Sequence, residues 1–183
     1  MRDSTPRDPA LVAVSTPGAT GEAETATGFA VGPARVVTVA HVLESGHPLA
    51  VRDGAGALRR ARVVRVDPAA DLALVAVSGL AAPRLREAAA GESDAHLLVR
   101  RGGRATSLPA EVRRRITATV RRPGLPPRVR PALELRVRVA PGDSGAPVLD
   151  RHGALAGVIF ARASSGRDSA YAVDADAVSA LLR

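Results

Sequence analysis

Three short strings of this 183-residue chain hold a histidine, an aspartate and a serine where side chains can meet. His41 ends the apolar run of TGFAVGPARVVTVAHVL, Asp71 opens a second run in RVVRVDPAADLALVAV, and Ser144 lies in the glycine-flanked turn of APGDSGAPVLD. His41 and Asp71 are 30 residues apart, and Asp71 and Ser144 are 73 apart. A serine hydroxyl is a poor nucleophile until an imidazole removes its proton. The imidazole in turn needs a carboxylate to fix its tautomer and stabilise its cationic form. A turn of small residues can aim consecutive backbone N–H groups at one point, where a carbonyl oxygen becoming an oxyanion would be stabilised. Asp67 rivals Asp71 for the carboxylate role. Its Asp-Pro pair reads as a turn, whereas the DLAL string sets Asp71 at the mouth of a strand.

Other chemistries find less material. With no cysteine there is neither a disulfide framework nor a thiolate metal site. His47 lies in a Gly-His-Pro loop, His96 begins a strand and His152 sits in an Asp-Arg-His-Gly turn; none has the spacing of a zinc site. The Gly-Ala-Gly string after Asp53 lacks the Lys-Ser/Thr of a phosphate cradle and reads as a hairpin. No metal and no cofactor are expected.

The elements that must position these residues are strands. Runs of β-branched and small apolar residues recur over 10–14, 27–31, 35–39, 49–52, 58–66 and 72–77, between Gly, Pro and Asp turns. A second group covers 95–99, 111–120, 132–139, 147–149, 154–160 and 170–173. Short strands at this spacing predict an all-β barrel or sandwich, because helical periodicity is scarce. Two segments suit helices: the alanine-rich 79–90 between the groups, and 174–182 with Asp174 as N-cap. The Pro-rich PGLPPRVRP (123–131) reads as an exposed loop.

With 46% hydrophobic residues the chain can bury a core, and no apolar run reaches the roughly 20 residues that cross a bilayer. The N-terminus lacks the charged-then-apolar pattern of a secretory signal, so the protein stays inside the cell or an upstream piece is missing. All 26 basic residues are arginine, and lysine, asparagine and glutamine are absent, a pattern of GC-rich codon use that weakens any inference from basicity. Residues 100–138 carry twelve arginines against Glu111 and Glu134, a balance of +10 in a chain of net charge +8. An anionic partner for this half is one reading, a solvated face the other. With 2% aromatic residues there is almost no stacking platform, so nucleic acid is not expected.

The AHV, DLALV and GDSGAP strings, in this order, resemble those of trypsin-like serine proteases, particularly the bacterial HtrA-type branch. GDSGAPVLDRHGALAGVIFARA and the later SAYAVDADAV are similar to the protease domain of MarP-type membrane-anchored proteases. The resemblance covers nearly the whole chain. It implies two packed six-stranded antiparallel β-barrels with the site in the cleft between them. The corresponding division is an N-terminal arm (1–9), a first barrel with His41 and Asp71 (10–78), a linker (79–94), and a second barrel with Ser144 and a C-terminal helix (95–183). It makes His41 the general base, Asp71 its orienting acid and Ser144 the nucleophile, with the Gly142 and Ser144 amides as oxyanion hole. The strand over Ile159, Phe160 and Ala161 would pair with a protein or peptide substrate and, with Val139, wall the primary specificity pocket.

The departures matter too. No membrane anchor, PDZ module or cysteine appears in these residues, and Ala146 stands where a glycine is frequent. Asp143 matches the aspartate that receives a newly cut N-terminus in the trypsin branch, yet no Ile-Val-Gly-Gly string exists. Asp143 is therefore expected to be solvated or paired with an internal arginine. The resemblance allows Arg138 to reach the pocket floor, where it would select acidic side chains; alternation instead places Leu133, Leu135, Val137 and Val139 inward and Glu134, Arg136 and Arg138 toward water, which predicts an apolar pocket taking Ala, Val or Leu. Two competing functions are a catalytically silent relative that binds peptides, and a basic β-barrel that binds an anionic partner.

Overall fold

The computed structural model describes residues 11–17, 23–43, 48–80, 93–122, 124–163, 166 and 168–183. Thirteen strands run β1 (Leu11–Pro17), β2 (Ala23–Gly32), β3 (Arg35–Val39), β4 (Ala50–Arg52), β5 (Leu58–Arg59), β6 (Ala61–Asp67), β7 (Leu72–Val77), β8 (Asp94–Arg101), β9 (Arg104–Arg122), β10 (Leu125–Arg136), β11 (Pro147–Asp150), β12 (Leu155–Arg162) and β13 (Ser169–Asp174). A 3₁₀ turn (Ala40–Leu43) follows β3, and helix α1 (Ala175–Leu182) ends the chain.

The first sheet has the order β5-β4-β1-β2-β3-β7-β6. Its two outer strands are neighbours in sequence, separated only by Arg60, so one interrupted strand wraps the sheet into a barrel-like form. The interruption also accounts for seven strands where six are expected. The second sheet is a closed barrel, β10-β13-β12-β11-β8-β9. Two groups of antiparallel strands and a C-terminal helix match the expected architecture.

Burial follows the strand period. Leu133, Leu135, Val137 and Val139 point into the second barrel with Leu97, Val148 and Ile159, and Arg136 and Arg138 are exposed. Glu134 departs from this pattern: it is half-buried and holds Arg114 at 2.6 Å. The other core fills the first sheet with Val12, Val14, Phe29 and Val37 and continues through Phe160 and Val173 to Val178 and Leu181 of α1. Asp174 caps α1, its carboxylate accepting the Asp176 amide at 3.0 Å.

The Pro-rich stretch 123–131 corrects an expectation: it belongs largely to β10, not to a loop. Proline fixes an extended-compatible φ and keeps the preceding residue extended. The missing amides are tolerated because pairing with β9 shifts register between Leu125 and Arg128, where Pro126 and Pro127 lie. The expected helix over 79–90 and the arm 1–9 fall mostly or wholly outside the described residues.

Candidate active site

His41 sits in the 3₁₀ turn that follows β3, its side chain 30% exposed and so within reach of solvent. Asp71 lies at the start of β7, buried, with a backbone φ of 59°. Aspartate tolerates this left-handed region better than most residues, at a modest cost. The conformation is held from both ends. The Asp71 carbonyl accepts the Ala40 amide at 2.9 Å. Its carboxylate takes the His41 amide on Oδ1 at 3.0 Å and faces His41 Nδ1 through Oδ2 at 2.9 Å. One carboxylate thus fixes both backbone and ring of the histidine. Asp67 does something else: its Oδ1 accepts the Ala69 and Ala70 amides at 2.9 and 3.0 Å and shapes the turn before Asp71.

Ser144 occupies a turn anchored across the two sheets. Its carbonyl accepts the Thr27 amide at 2.8 Å, and Thr27 Oγ1 donates to the Gly142 carbonyl at 2.9 Å. Thr38 Oγ1 donates to the Thr27 carbonyl at 2.8 Å, which ties the turn to β3, the strand that leads to His41. Gly145 has φ +86°, and a Cβ there would lie 2.0 Å from the Thr27 oxygen. Only glycine lets the turn approach β2 this closely. Gly142 also has positive φ, at 92°. Among the described residues, the Gly142 and Ser144 amides donate to no protein acceptor, and Ser144 Oγ makes no hydrogen bond to His41.

Asp143 is buried between these glycines. Its Oδ2 accepts the Ala140 amide at 2.7 Å and the Arg101 guanidinium at 2.6 Å. Of the two expectations for Asp143, the internal arginine is the one observed.

Beside the turn lies a pocket of about 240 Å³ whose walls include Val139, Ser144, Ile159 and Ala161. Phe160 is not among its lining residues. Alternation along β12 sends it to the opposite face, where it stacks on Tyr171 at 6.4 Å. Arg162, unforeseen from sequence, also lines the pocket. The Ile159 amide and carbonyl are engaged by Ala146 and Gly145 at 3.0 and 2.7 Å. Arg138 is exposed and lies 3.6 Å from Asp168.

A second residue that sequence reasoning missed is Arg130. It lies in the supposed loop, but its side chain is 3% exposed, 3.6 Å from Asp71 Oδ2, with its guanidinium 5.0 Å above the Phe160 ring. Nothing in its arginine- and proline-rich string distinguishes it from the solvated arginines around it. Much of the basic half is engaged within the chain, since Arg101, Arg114, Arg115 and Arg138 also face carboxylates. His152 belongs to a hairpin turn, its amide donating to Asp150 Oδ1 at 2.8 Å, and His96 lies within β8. His47 is outside the described residues.

The family model of the trypsin-like peptidase domain matches residues 26–158. The chain belongs to the trypsin-like peptidase family. Among curated proteins of this family it is 33% identical over 164 residues to the serine protease Rv3671c of Mycobacterium tuberculosis strain H37Rv. That match takes in 85% of this chain and 41% of the relative, so the chain spans less than half of the relative's length. The crystal structure of the Rv3671c protease in its active form superimposes with a TM-score of 0.83 at 31% identity, over 96% of this chain and 80% of that one. The inactive form gives 0.78 at 31% identity, over 96% and 88%. The MamO protease domain of Magnetospirillum magneticum shares the fold, with a TM-score of 0.74 at 21% identity over the full length of both chains.

Proposed function

We propose that this chain is a serine endopeptidase that cleaves proteins or peptides through an acyl-enzyme. The observation that carries the reading is the 2.9 Å pairing of His41 Nδ1 with a buried carboxylate that also binds the His41 amide. That pairing fixes the tautomer with Nε2 as the acceptor.

Substrate backbone enters beside β12 with its scissile carbonyl over Ser144. His41 Nε2 takes the Ser144 proton as Oγ attacks, and the imidazolium is stabilised by Asp71. The Gly142 and Ser144 amides receive the oxyanion; one such donor contributes about 2.7–4 kcal/mol to the transition state. His41 then protonates the leaving amine, and water repeats the sequence to release the acid. The absence of a resting Ser144–His41 hydrogen bond among the described residues fits this cycle, since such bonds tighten when substrate docks.

Val139, Ile159 and Ala161 supply an apolar wall for the side chain preceding the cut, which favours Ala, Val or Leu. Arg138, facing Asp168, takes no part in that choice. Neither competing function gains a specific observation. No helix among the described residues is long and apolar enough to cross a membrane.

The test is hydrolysis of an unfolded protein substrate and a peptide library by the chain and by its Ser144→Ala and His41→Ala variants. Activity lost by several decades in both folded variants, with cuts after small apolar residues, is the expected result. Hydrolysis that persists in Ser144→Ala, or dominant cleavage after Asp or Glu that Arg138→Ala abolishes, contradicts it.

A further inference from the structure

Strand β12 carries a bulge beside the pocket. Its register against β13 runs Ile159↔Ala172, then Ala161↔Tyr171 and Arg162↔Ala170, so Phe160 is the extra residue. Plain alternation would send Arg162, three residues after Ile159, to the opposite face of the strand. The bulge cancels that. Residues directly opposite each other on antiparallel strands share a face, and Ala172 and Ala170 both pack into the second core with Ile159. Arg162 is thereby turned to the side of Ile159, and both line the pocket that Ser144 also lines. Arg162 is the one charged side chain among the lining residues. It is exposed, and among the described residues no carboxylate pairs with its guanidinium. Two carboxylates of the second barrel have other cations: Asp168 faces Arg138 at 3.6 Å, and buried Asp143 holds Arg101 at 2.6 Å.

One edge of β12 is open at this point. β11 is registered against it from Leu155 to Val158, and the Ile159 amide and carbonyl go to Ala146 and Gly145. Over 160–162 the same edge has no strand partner among the described residues. From Ile159 to Arg162, β12 runs away from the Ser144 turn, so a peptide added antiparallel to it runs toward Ser144 in its own N-to-C direction. Ala172 and Ala170 are two register positions apart, about 7 Å, which is also the span of two residues of an extended peptide. Side chains two apart on such a peptide share a face, so one fills the pocket while the other meets Arg162. We infer that Arg162 is a specificity-determining residue that selects peptides with an aspartate or glutamate two residues before the apolar residue at the cut. A guanidinium presents paired N–H donors that match a carboxylate, and at an exposed site such a pair favours binding by a few-fold and weakens with salt. The inference rests on the endopeptidase reading and adds a charged neighbour to the apolar occupant of its pocket.

The test compares peptides that share an Ala-Val site, cut after Val, and carry Glu, Gln or Lys two residues before the Val. A further peptide carries Gln at that position and Glu in place of the Val. In low salt the parent chain should cleave the Glu peptide with kcat/KM about fivefold above the Gln peptide, falling below about twofold in roughly 0.5 M salt. Arg162→Met should bring the Glu and Gln peptides within about 1.5-fold of each other, and Arg162→Glu should prefer the Lys peptide. Equal Glu and Gln rates in the parent, a Glu advantage that persists in Arg162→Met, or a best substrate with Glu in place of the Val overturns the inference. Fluorescence anisotropy of the same peptides, labelled, on the Ser144→Ala chain reads the selectivity without catalysis. The Glu peptide should bind about fivefold more tightly than the Gln peptide, and adding Arg162→Met should erase the difference. Equal affinities overturn the inference. A parent chain that cleaves none of the peptides while this binding preference holds would count against the proposed function and support Arg162 as the selecting residue.

Discussion

The buried Asp143 carboxylate, one residue before Ser144, receives the Arg101 guanidinium at 2.6 Å across the second barrel. The same oxygen accepts the Ala140 amide, so one ion pair braces the turn that carries Ser144. The cation at this carboxylate is thus an arginine of the chain itself. Arg101→Met should lower kcat by about tenfold or more with a smaller change in KM, because the oxyanion donors lose their brace. It should also cost about 1–3 kcal/mol in urea unfolding, from a buried carboxylate left without its cation. Removing residues 1–9 should leave activity within about threefold, since no new terminus is required. A large gain on trimming, or an unaffected kcat in Arg101→Met, would contradict this role.

Gly145 tests how closely the turn must seat on β2. Gly145→Ala forces a Cβ to 2.0 Å from the Thr27 oxygen in a backbone conformation at φ +86°. The turn must then lift from Thr27, and we expect a loss of at least about 2 kcal/mol together with activity. Gly32→Ala meets nothing within 4 Å and should shift stability by no more than about 1 kcal/mol. Equal melting curves for the two variants would rule out the close approach as the reason for this glycine.

Asp53 predicts a pH dependence of folding. The Arg59 guanidinium, bonded to Asp53 Oδ2 at 2.7 Å, and the Ala57 and Ala55 amides hold its carboxyl below the usual carboxylate range, against the opposing effect of burial. A carboxyl whose pKa is lower in the folded than in the unfolded chain stabilises the fold above the unfolded value of about 4. That contribution fades as pH falls through the folded value. The stability difference between the parent and Arg59→Ala should therefore be greatest near neutrality and shrink below about pH 4. A difference that stays constant from neutral to strongly acidic pH would refute the assignment.

The strands were legible because β-branched runs and turn residues alternate at the right lengths. Asp174 as an N-cap was legible for the same local reason. The 123–131 segment was misread because proline and arginine carry a surface signature, whereas pairing along β9 is a long-range fact that no local string encodes. Arg130 was invisible on the same account: its burial depends on a carboxylate 59 residues away in sequence and on an aromatic ring of β12. Residue types narrowed the partner of His41 to two aspartates. The distinction between them is spatial, with Asp67 facing amides of its own turn and Asp71 facing the ring. Phe160 shows a further limit: the pocket strand was foreseeable, but which of its neighbouring side chains points into the pocket depends on the register of β12.

The most direct measurement of the central claim is mass analysis of the chain after treatment with a fluorophosphonate, with peptide mapping of the modified residue. The account predicts one adduct, on Ser144, absent in Ser144→Ala. It predicts adduct formation slowed by about 10³–10⁴ in Asp71→Asn and little changed in Asp67→Asn. An adduct that still forms in folded Ser144→Ala, or formation crippled by Asp67→Asn but not by Asp71→Asn, would contradict it.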